Sequence, residues 1–311
     1  MRRPELALCS RCGRCLAVCP TYLETRIERF SPRARVALLE AGLRDEEAFH
    51  RCLRCGRCEK ACPNQVPLAQ TMALEEKGFP LLGKLLAFLS PPWTAPFSPR
   101  SGEPLLFLSC GPALLYPQAL RRYLAFLERR GYSPGISPAL CCGLPHLSLG
   151  GLKAFRAQAE RILRELERIR GPVVTLCASC SWTLKKLYPQ IFRGTELEEA
   201  ALSLAQRIFE ATQFLSPSPA DLDLPPAGAL HIPCHLEEKP DFSDLPQIAA
   251  CCGAASPSSL LLRDLPRPFR QALQEIRPST LVTACTGCYL KLKRTLQAPP
   301  EIRHWAEFLG V

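Results

Sequence analysis

Eighteen of the 311 residues are cysteine, and eight of them fall into two runs of one pattern. Cys9, Cys12, Cys15 and Cys19 are closed by Pro20, and Cys52, Cys55, Cys58 and Cys62 by Pro63, so each run reads C-x2-C-x2-C-x3-C-P. Thiolates at this spacing hold [4Fe–4S] clusters: three wrap around one cube, and the fourth reaches across to the neighbouring cube. The expected ligand sets are therefore Cys9, Cys12, Cys15 and Cys62 for one cluster, and Cys52, Cys55, Cys58 and Cys19 for the other. Zinc also takes C-x2-C pairs, but it needs only four ligands, usually as two separated pairs. A zinc-stabilised interaction module is the competing reading.

The other ten cysteines form two sets of five: Cys110, Cys141, Cys142, Cys177 and Cys180, then Cys234, Cys251, Cys252, Cys285 and Cys288. Each set reads Cys, then Cys-Cys-Gly, then C-x2-C, with 34 residues from pair to last motif in one half and 32 in the other. An internal duplication explains this economically. Free core thiols or a C-x2-C disulfide are the plain alternative. The same five in the same order twice point instead to metal, and one or two further iron–sulfur clusters are expected there. The first residues lack the apolar core of a signal peptide, so a reducing cytosol is expected, where clustered cysteines mean metal or redox chemistry.

The intervening residues must position these thiols. Ser31-Pro32 and Asp45 read as helix starts between the two runs, and residues 68–77 and 80–89 have helical character. Five prolines in 91–104 mark a linker, as does the Pro/Ser-rich stretch 216–228. Beyond the first linker, apolar strands at 105–109 and 173–176 run into Cys110 and Cys177, with helices at 117–130, 152–170 and 197–214. Beyond the second, strands at 230–232 and 280–283 run into Cys234 and Cys285, with a helix at 260–276. Strand–helix alternation implies parallel sheets whose carboxyl ends make the site, where helix N-termini stabilise thiolates. Only 16 residues separate Cys234 from Cys251, against 30 between Cys110 and Cys141, so a crossover helix is expected to be missing from the second half.

The expected fold class is α+β/α/β: an N-terminal, mainly helical two-cluster ferredoxin domain followed by two repeated α/β Cys-Cys-Gly domains. The expected boundaries are 1–90, linker 91–104, 105–215, linker 216–228 and 229–311.

Composition narrows the partners. The chain is 47% hydrophobic and 22% charged, with a formal net charge of +10. Two oxidised clusters with their thiolates, at roughly −2 each, would remove about four of those charges. The arginines are scattered without interleaved aromatics, which argues against nucleic acid and leaves a solvated surface, an anionic membrane face or an acidic partner. The longest apolar stretch, 79–89, is too short to span a bilayer. No Gly-x-Gly-x-x-Gly follows a strand, so a flavin or nicotinamide site is not expected in this chain.

A twin ferredoxin module followed by two Cys-Cys-Gly repeats resembles the family of the glycolate oxidase iron–sulfur subunit. Cys12-Gly13-Arg14-Cys15, Cys19-Pro20-Thr21-Tyr22 and Ser31-Pro32-Arg33-Ala34-Arg35 are similar to that family's stretch with a Pro-Arg-Gly-Arg element. His231-Ile232-Pro233-Cys234 looks like its His-Pro-Pro-Cys, and Arg303-His304-Trp305 with Glu307-Phe308-Leu309 looks like its C-terminal His-Trp segment. The resemblance implies an electron-transfer subunit with no catalytic residue of its own, paired with an FAD-containing subunit that oxidises glycolate or D-lactate. It further implies a membrane quinone as acceptor and a cytoplasmic chain, peripheral on the inner face of the membrane. One departure matters: both Cys285 and Cys288 are present, where glycolate subunits often keep one. In that respect the chain is closer to heterodisulfide reductase cysteine-rich subunits, whose repeats hold non-cubane [4Fe–4S] clusters. A reductase acting on a disulfide or thiol substrate is accordingly the alternative function. The five histidines read as surface or supporting residues, with His235, beside Cys234, the one to test as a proton donor.

Overall fold

The two cysteine runs are held apart and folded back on each other by short helices around a small core. The computed structural model describes residues 5–75, 96–149, 151–240, 244–256, 264–297 and 300–310; the helix expected at 80–89 lies outside them. Helix α1 (Pro20–Thr25) begins at the proline that closes the first run. Helix α2 (Pro32–Glu40) starts as the sequence suggests: Ser31 Oγ accepts from the Ala34 N–H at 3.1 Å, with Pro32 in the first turn. Asp45 likewise caps α3 (Glu46–His50) through the Ala48 N–H at 3.1 Å. After α4 (Arg57–Lys60) and α5 (Leu68–Leu74) the described module ends. Leu6, Phe30, Val36, Phe49, Val66, Leu68 and Met72 pack together as its core.

Two four-stranded, all-parallel sheets follow. The first contains β1 (Leu105–Leu106), α6 (Pro117–Arg129), β2 (Gly135–Ile136), α7 (Leu144–Ser148), α8 (Leu152–Leu166), β3 (Val173–Thr175), α9 (Ala178–Trp182), α10 (Tyr188–Ile191), α11 (Glu198–Arg207), β4 (Ile208–Glu210) and α12 (Ala211–Phe214). The second contains β5 (Gly228–His231), β6 (Gln247–Ile248), α13 (Arg267–Ile276), β7 (Thr280–Thr283), α14 (Thr286–Thr295) and β8 (Glu301–His304). Their strand orders are β2-β1-β3-β4 and β6-β5-β7-β8, the same sequence of neighbours in each. The central strands are buried on both faces, as parallel sheets covered by helices require.

Several elements differ from the sequence expectation. The helix expected at 197–214 is broken, because Ile208–Glu210 leaves it to pair in parallel with Val173–Thr175. The pairing gives β3 a partner on its outer edge and buries Ile208 completely, which outweighs the local helical pattern. The helix expected to reach 170 stops at Leu166, and the strand expected over 105–109 pairs formally only at Leu105 and Leu106. Strands β2 and β6, two residues each, are too short for periodicity to mark. Among the described residues no helix lies between β5 and β6.

The stretch 216–228 is not a free tether. Asp223 N–H donates to Phe308 O at 2.8 Å, Gly310 N–H donates to Asp221 O at 2.8 Å, and Arg130 pairs with Asp221 at 2.8 Å. The C-terminal turn Trp305–Phe308 packs on α6 of the first sheet, with the fully buried Trp305 edge-on to Tyr123 at 5.8 Å. One hydrophobic core therefore runs through both sheets. Among the described residues no helix is long and apolar enough to cross a membrane.

Leu281, in the centre of β7, is fully buried. Leu281→Ala is expected to cost about 2–5 kcal/mol, read as a lower urea midpoint in anaerobic unfolding.

Candidate iron–sulfur sites

In the N-terminal module the two runs share one backbone. Arg11 and Arg54, before the second cysteine of each, both take a left-handed conformation (φ 56° and 50°), and Gly13 and Gly56, after it, do the same (φ 81° and 67°). Side-chain-bearing residues avoid this region. Its repetition at matched positions shows the same wrap made twice. The Asn64 side chain, after the second run, donates to Leu8 O at 2.6 Å, tying the end of one run to the start of the other. Cys19 joins Cys52, Cys55 and Cys58 around one cavity of about 340 Å³ including its mouth, lined also by Thr21, Arg35 and Gly56. Thr21 Oγ1 lies 3.2 Å from Cys19 Sγ. The buried Arg35 donates to Ala48 O at 2.8 Å and to Thr21 Oγ1 at 3.3 Å. Burial, and then the charges of Cys55 and Cys52, push the Cys58 thiol well up. Burial and the Cys9 charge raise Cys15, while Arg14 N–H lowers the exposed Cys12.

The ten remaining cysteines lie at the carboxyl ends of the sheet strands. In the first half, Gly143 (φ 84°) turns the chain after Cys141-Cys142, and its N–H points at Cys141 Sγ at 3.4 Å. Gly253 (φ 80°) does the same for Cys251 at 3.3 Å. The left-handed turn needs glycine, and at Gly143 a Cβ would also meet the Phe155 ring at 2.8 Å. Gln158 Nε2 donates to Cys141 O at 3.0 Å and Tyr188 Oη donates to Cys142 O at 3.2 Å, fixing the pair. Cys110 is raised to about 12 by burial and by the charges of Cys142 and Cys177. Cys142 is held well below the ordinary thiol range by hydrogen bonds from Cys141 and Cys180.

In the second half Cys234 lies 3.8 Å from Cys251, and Cys252 lies 3.1 Å from Cys288. His231 supports them: its Nδ1 accepts from Thr283 Oγ1 at 3.0 Å and its Nε2 donates to Ala250 O at 3.2 Å. The halves meet at their C-x2-C motifs. Cys177 and Cys285 are the N-cap residues of α9 and α14, and a hydrogen bond joins the two thiols. Burial opposes ionisation of Cys177, yet hydrogen bonds from Cys180, Cys285, Ser179 and Thr286 hold it well below the usual range. The hydrogen bond to Cys177 pushes Cys285 well up.

The module docks against this second half. Lys60 Nζ donates to Cys234 O at 3.1 Å and Leu236 O at 2.7 Å, and Ser256 Oγ donates to His50 O at 3.3 Å. His235 Nε2 donates to Arg54 O at 2.8 Å, with its ring stacked 4.2 Å from Trp182. The His235 N–H is thus given to a carbonyl, and burial lowers its pKa. Cys55 of the module is lowered chiefly by a hydrogen bond from Cys251. Of the five histidines His50 is half-buried, while His146, His231, His235 and His304 are buried.

Sequence reading missed Glu210, Tyr116 and Thr286 around Cys177 and placed His304 only in the C-terminal His-Trp segment. Glu210 and His304 end β4 and β8, opposite Thr175 and Thr283 in the two registers. Each is buried, and each caps the short helical turn that follows. Tyr116, stacked on His304 at 4.4 Å, has its hydroxyl 2.5 Å from Thr286 Oγ1. For Glu210 the signal lay in the matched strand ends of the two sheets, whereas His304 already stood out in the C-terminal His-Trp segment.

The donor set suits iron–sulfur chemistry on physical grounds of its own. Among the described residues no group of Cys, His, Asp or Glu stands ready to hold a metal ion as it is; around the second run the thiols ring a cavity rather than a point. Crowded thiols pushed up by burial and by one another, as at Cys58, Cys110 and the fully buried Cys285, ionise together only with positive charge among them, and a metal centre supplies it. The residues fit.

Comparison with known proteins defines the class. Residues 5–66 match the 4Fe-4S dicluster domain family and residues 105–185 the cysteine-rich domain family. The chain is an iron–sulfur protein in which a dicluster module precedes a cysteine-rich domain, and it carries multiple clusters. The resemblance to glycolate oxidase iron–sulfur subunits holds along nearly the whole length: the glycolate oxidase iron-sulfur subunit of Escherichia coli (strain K12) is 25% identical, over 98% of this chain and 93% of that one. Lactate utilization protein A of Geobacillus sp. (strain WCH70) is 27% identical over 66% of this chain and 98% of its own. A fumarate reductase (CoM/CoB) subunit of Methanothermobacter marburgensis is 24% identical over 61% of this chain, and the match spans 42% of that protein.

Glu210 gives a pH test. Burial raises its pKa from 4.5 to about 7, so between those values the folded chain keeps a proton that the unfolded chain has released. Its contribution falls as pH rises through that window and is flat above it. Glu210→Gln is expected to match wild type near pH 4.5 and to gain up to about 3 kcal/mol by about pH 8, read from anaerobic urea unfolding across that range.

Proposed function

We propose that this chain is the electron-transfer subunit of a flavin-dependent 2-hydroxyacid dehydrogenase acting on glycolate or D-lactate, with the FAD on a separate chain and a membrane quinone as acceptor. The observation that carries the reading is the continuity of thiols. Cys55 of the module meets Cys251 and Cys234, the adjacent Cys252 meets Cys288, and Cys285 meets Cys177 of the first half. Iron–sulfur clusters accept and pass single electrons, which is what a flavin shared with a quinone requires.

In this reading Cys9, Cys12, Cys15 and Cys62 hold one [4Fe–4S] cluster, and Cys52, Cys55, Cys58 and Cys19 hold the second. Cys110, Cys141, Cys142, Cys177 and Cys180 form a first cysteine-rich centre. Cys234, Cys251, Cys252, Cys285 and Cys288 form another, the two sets having arisen by duplication. The protein's own work is to bury these centres, to hold Cys55 against Cys251 through Lys60 and His235, and to keep water out with Trp182, Tyr188 and Trp305.

The complete C-x2-C motif in both halves favours a second reading, a reductase that cleaves a disulfide at a cysteine-rich centre. The similarity to a fumarate reductase component named for CoM and CoB agrees with it. Turnover of a heterodisulfide by the isolated chain with reduced viologen would establish that reading, and no turnover would remove it.

Anaerobic purification with native partners is expected to bring down an FAD protein that reduces dye with glycolate or D-lactate. Recovery of the chain with no flavoprotein and no such activity would sink the proposal. Iron and acid-labile sulfide are expected at roughly eight atoms or more each per chain, whereas zinc without sulfide points to the interaction module instead. Cys19→Ser is expected to abolish the electron paramagnetic resonance signal of the Cys52–Cys58 cluster and spare that of Cys9–Cys15. The opposite pattern removes the crossed ligand sets.

A further inference from the structure

The two halves repeat each other down to the seam between them, and there the symmetry fails in one hydrogen bond. Cys177 and Cys285 occupy the same place in their halves, each in extended conformation between a strand and a helix. The next residue in each case presents its backbone N–H to the opposite half. The Thr286 N–H donates to Cys177 Sγ at 3.3 Å. The matching N–H, that of Ala178, donates instead to the carbonyl of Ala284 at 2.9 Å. The following positions differ as well: Ser179 sets its hydroxyl 3.2 Å from Cys177 Sγ and also bonds Cys285, whereas Gly287 offers no side chain. The serine is shared, so the amide is the difference. Thr286 is held in place from behind, its Oγ1 2.5 Å from the Tyr116 hydroxyl, which in turn donates to Leu176 O at 3.3 Å.

We infer that this seam makes the first-half centre, built on Cys177, the more easily reduced of the two cysteine-rich centres. An electron added to an iron–sulfur centre increases the negative charge on its sulfur ligands, so a donor fixed at one of them favours the reduced state. Cys177 has a backbone donor from the other half, and among the described residues Cys285 receives none in return. The uptake is of one electron, with no bond made or broken and no proton moved, and any one-electron donor that reduces the centres supplies it. The inference rests on the proposal that both halves hold clusters. It adds an order that the sequence, five cysteines in each half, does not contain.

A backbone N–H can be removed here without breaking the helix. Thr286 is the first residue of α14, where proline is tolerated, and Cys285 before it (φ −145°, ψ 125°) already has the extended conformation that a following proline demands. The experiment is an anaerobic redox titration followed by electron paramagnetic resonance, with Cys110→Ser and Cys234→Ser used to assign each signal to its half. In wild type the first-half centre is expected to be reduced first. In Thr286→Pro its advantage over the second-half centre is expected to shrink about tenfold, which is about 59 mV for one electron. Thr286→Val, which keeps the N–H and loses only the hydroxyl, is expected to leave most of the advantage.

Should Thr286→Pro fail to take up iron, wild-type protein reconstituted in D2O decides. Pulsed resonance is expected to detect, beyond the matched couplings from the Gly143 and Gly253 amides, one further exchanged deuteron at the first-half centre with no counterpart at the second. Reduction of the second-half centre first, equal shifts of both midpoints in Thr286→Pro, or equal deuteron couplings would each overturn the inference. Full iron and sulfide with any of those results defeats the order alone; absence of iron and sulfide from both halves defeats the underlying proposal.

Discussion

Burying many thiols close together is the constraint on which the rest of this molecule depends. A single thiolate out of water is costly, and several at contact distance repel one another. Their opposed shifts show the conflict: Cys142 and Cys177 are driven towards the anion, while Cys141, Cys180, Cys285 and Cys288 are driven towards the neutral thiol. A centre that contributes positive charge resolves it for all of them at once. The scaffold then reads as a set of devices for holding the thiols where such a centre can gather them. Strand ends and helix starts present single cysteines, glycine turns present the adjacent pairs, and Gln158, Tyr188 and His231 pin the carbonyls between.

The sequence was most legible where chemistry and local backbone coincide. The two cysteine runs, the caps at Ser31 and Asp45 and the buried strands leading into Cys177 and Cys285 all rest on patterns a few residues long. The short strands β2 and β6 and the edge strand β4 were not legible. At β4 the local preference of 197–214 is helical, and only the exposed edge of β3 converts Ile208–Glu210 into a strand. The same limit applies to the site. Every cysteine could be grouped by motif, but the meeting of Cys55 with Cys251, and of Cys177 with Cys285, joins residues far apart in the chain. Nothing local encodes it. Glu210, Tyr116 and Thr286 escaped notice for the same reason.

Several of the hydrogen bonds across the interfaces of this chain end on a backbone atom on at least one side. Lys60 and His235 bond carbonyls across the junction between module and second half, and Thr286 and Ala178 bond across the seam. Carbonyl and amide groups cannot swing away as long side chains do, and their partners are fixed by the fold. Tunnelling between centres is steeply sensitive to distance, so fixed joints suit a chain that passes electrons.

The placement of Trp305 has a consequence for how the protein is made. Tyr123, in a helix of the first sheet, is sealed by a tryptophan that follows it by more than a hundred and eighty residues. While the chain is still emerging, the first five-cysteine set therefore sits in a core with one wall absent, and no local folding can supply that wall. The wall arrives only with the turn at 305–308. Until then the face of α6 that carries Tyr123 is uncovered, so the core of the first sheet is completed only by residues that follow the second.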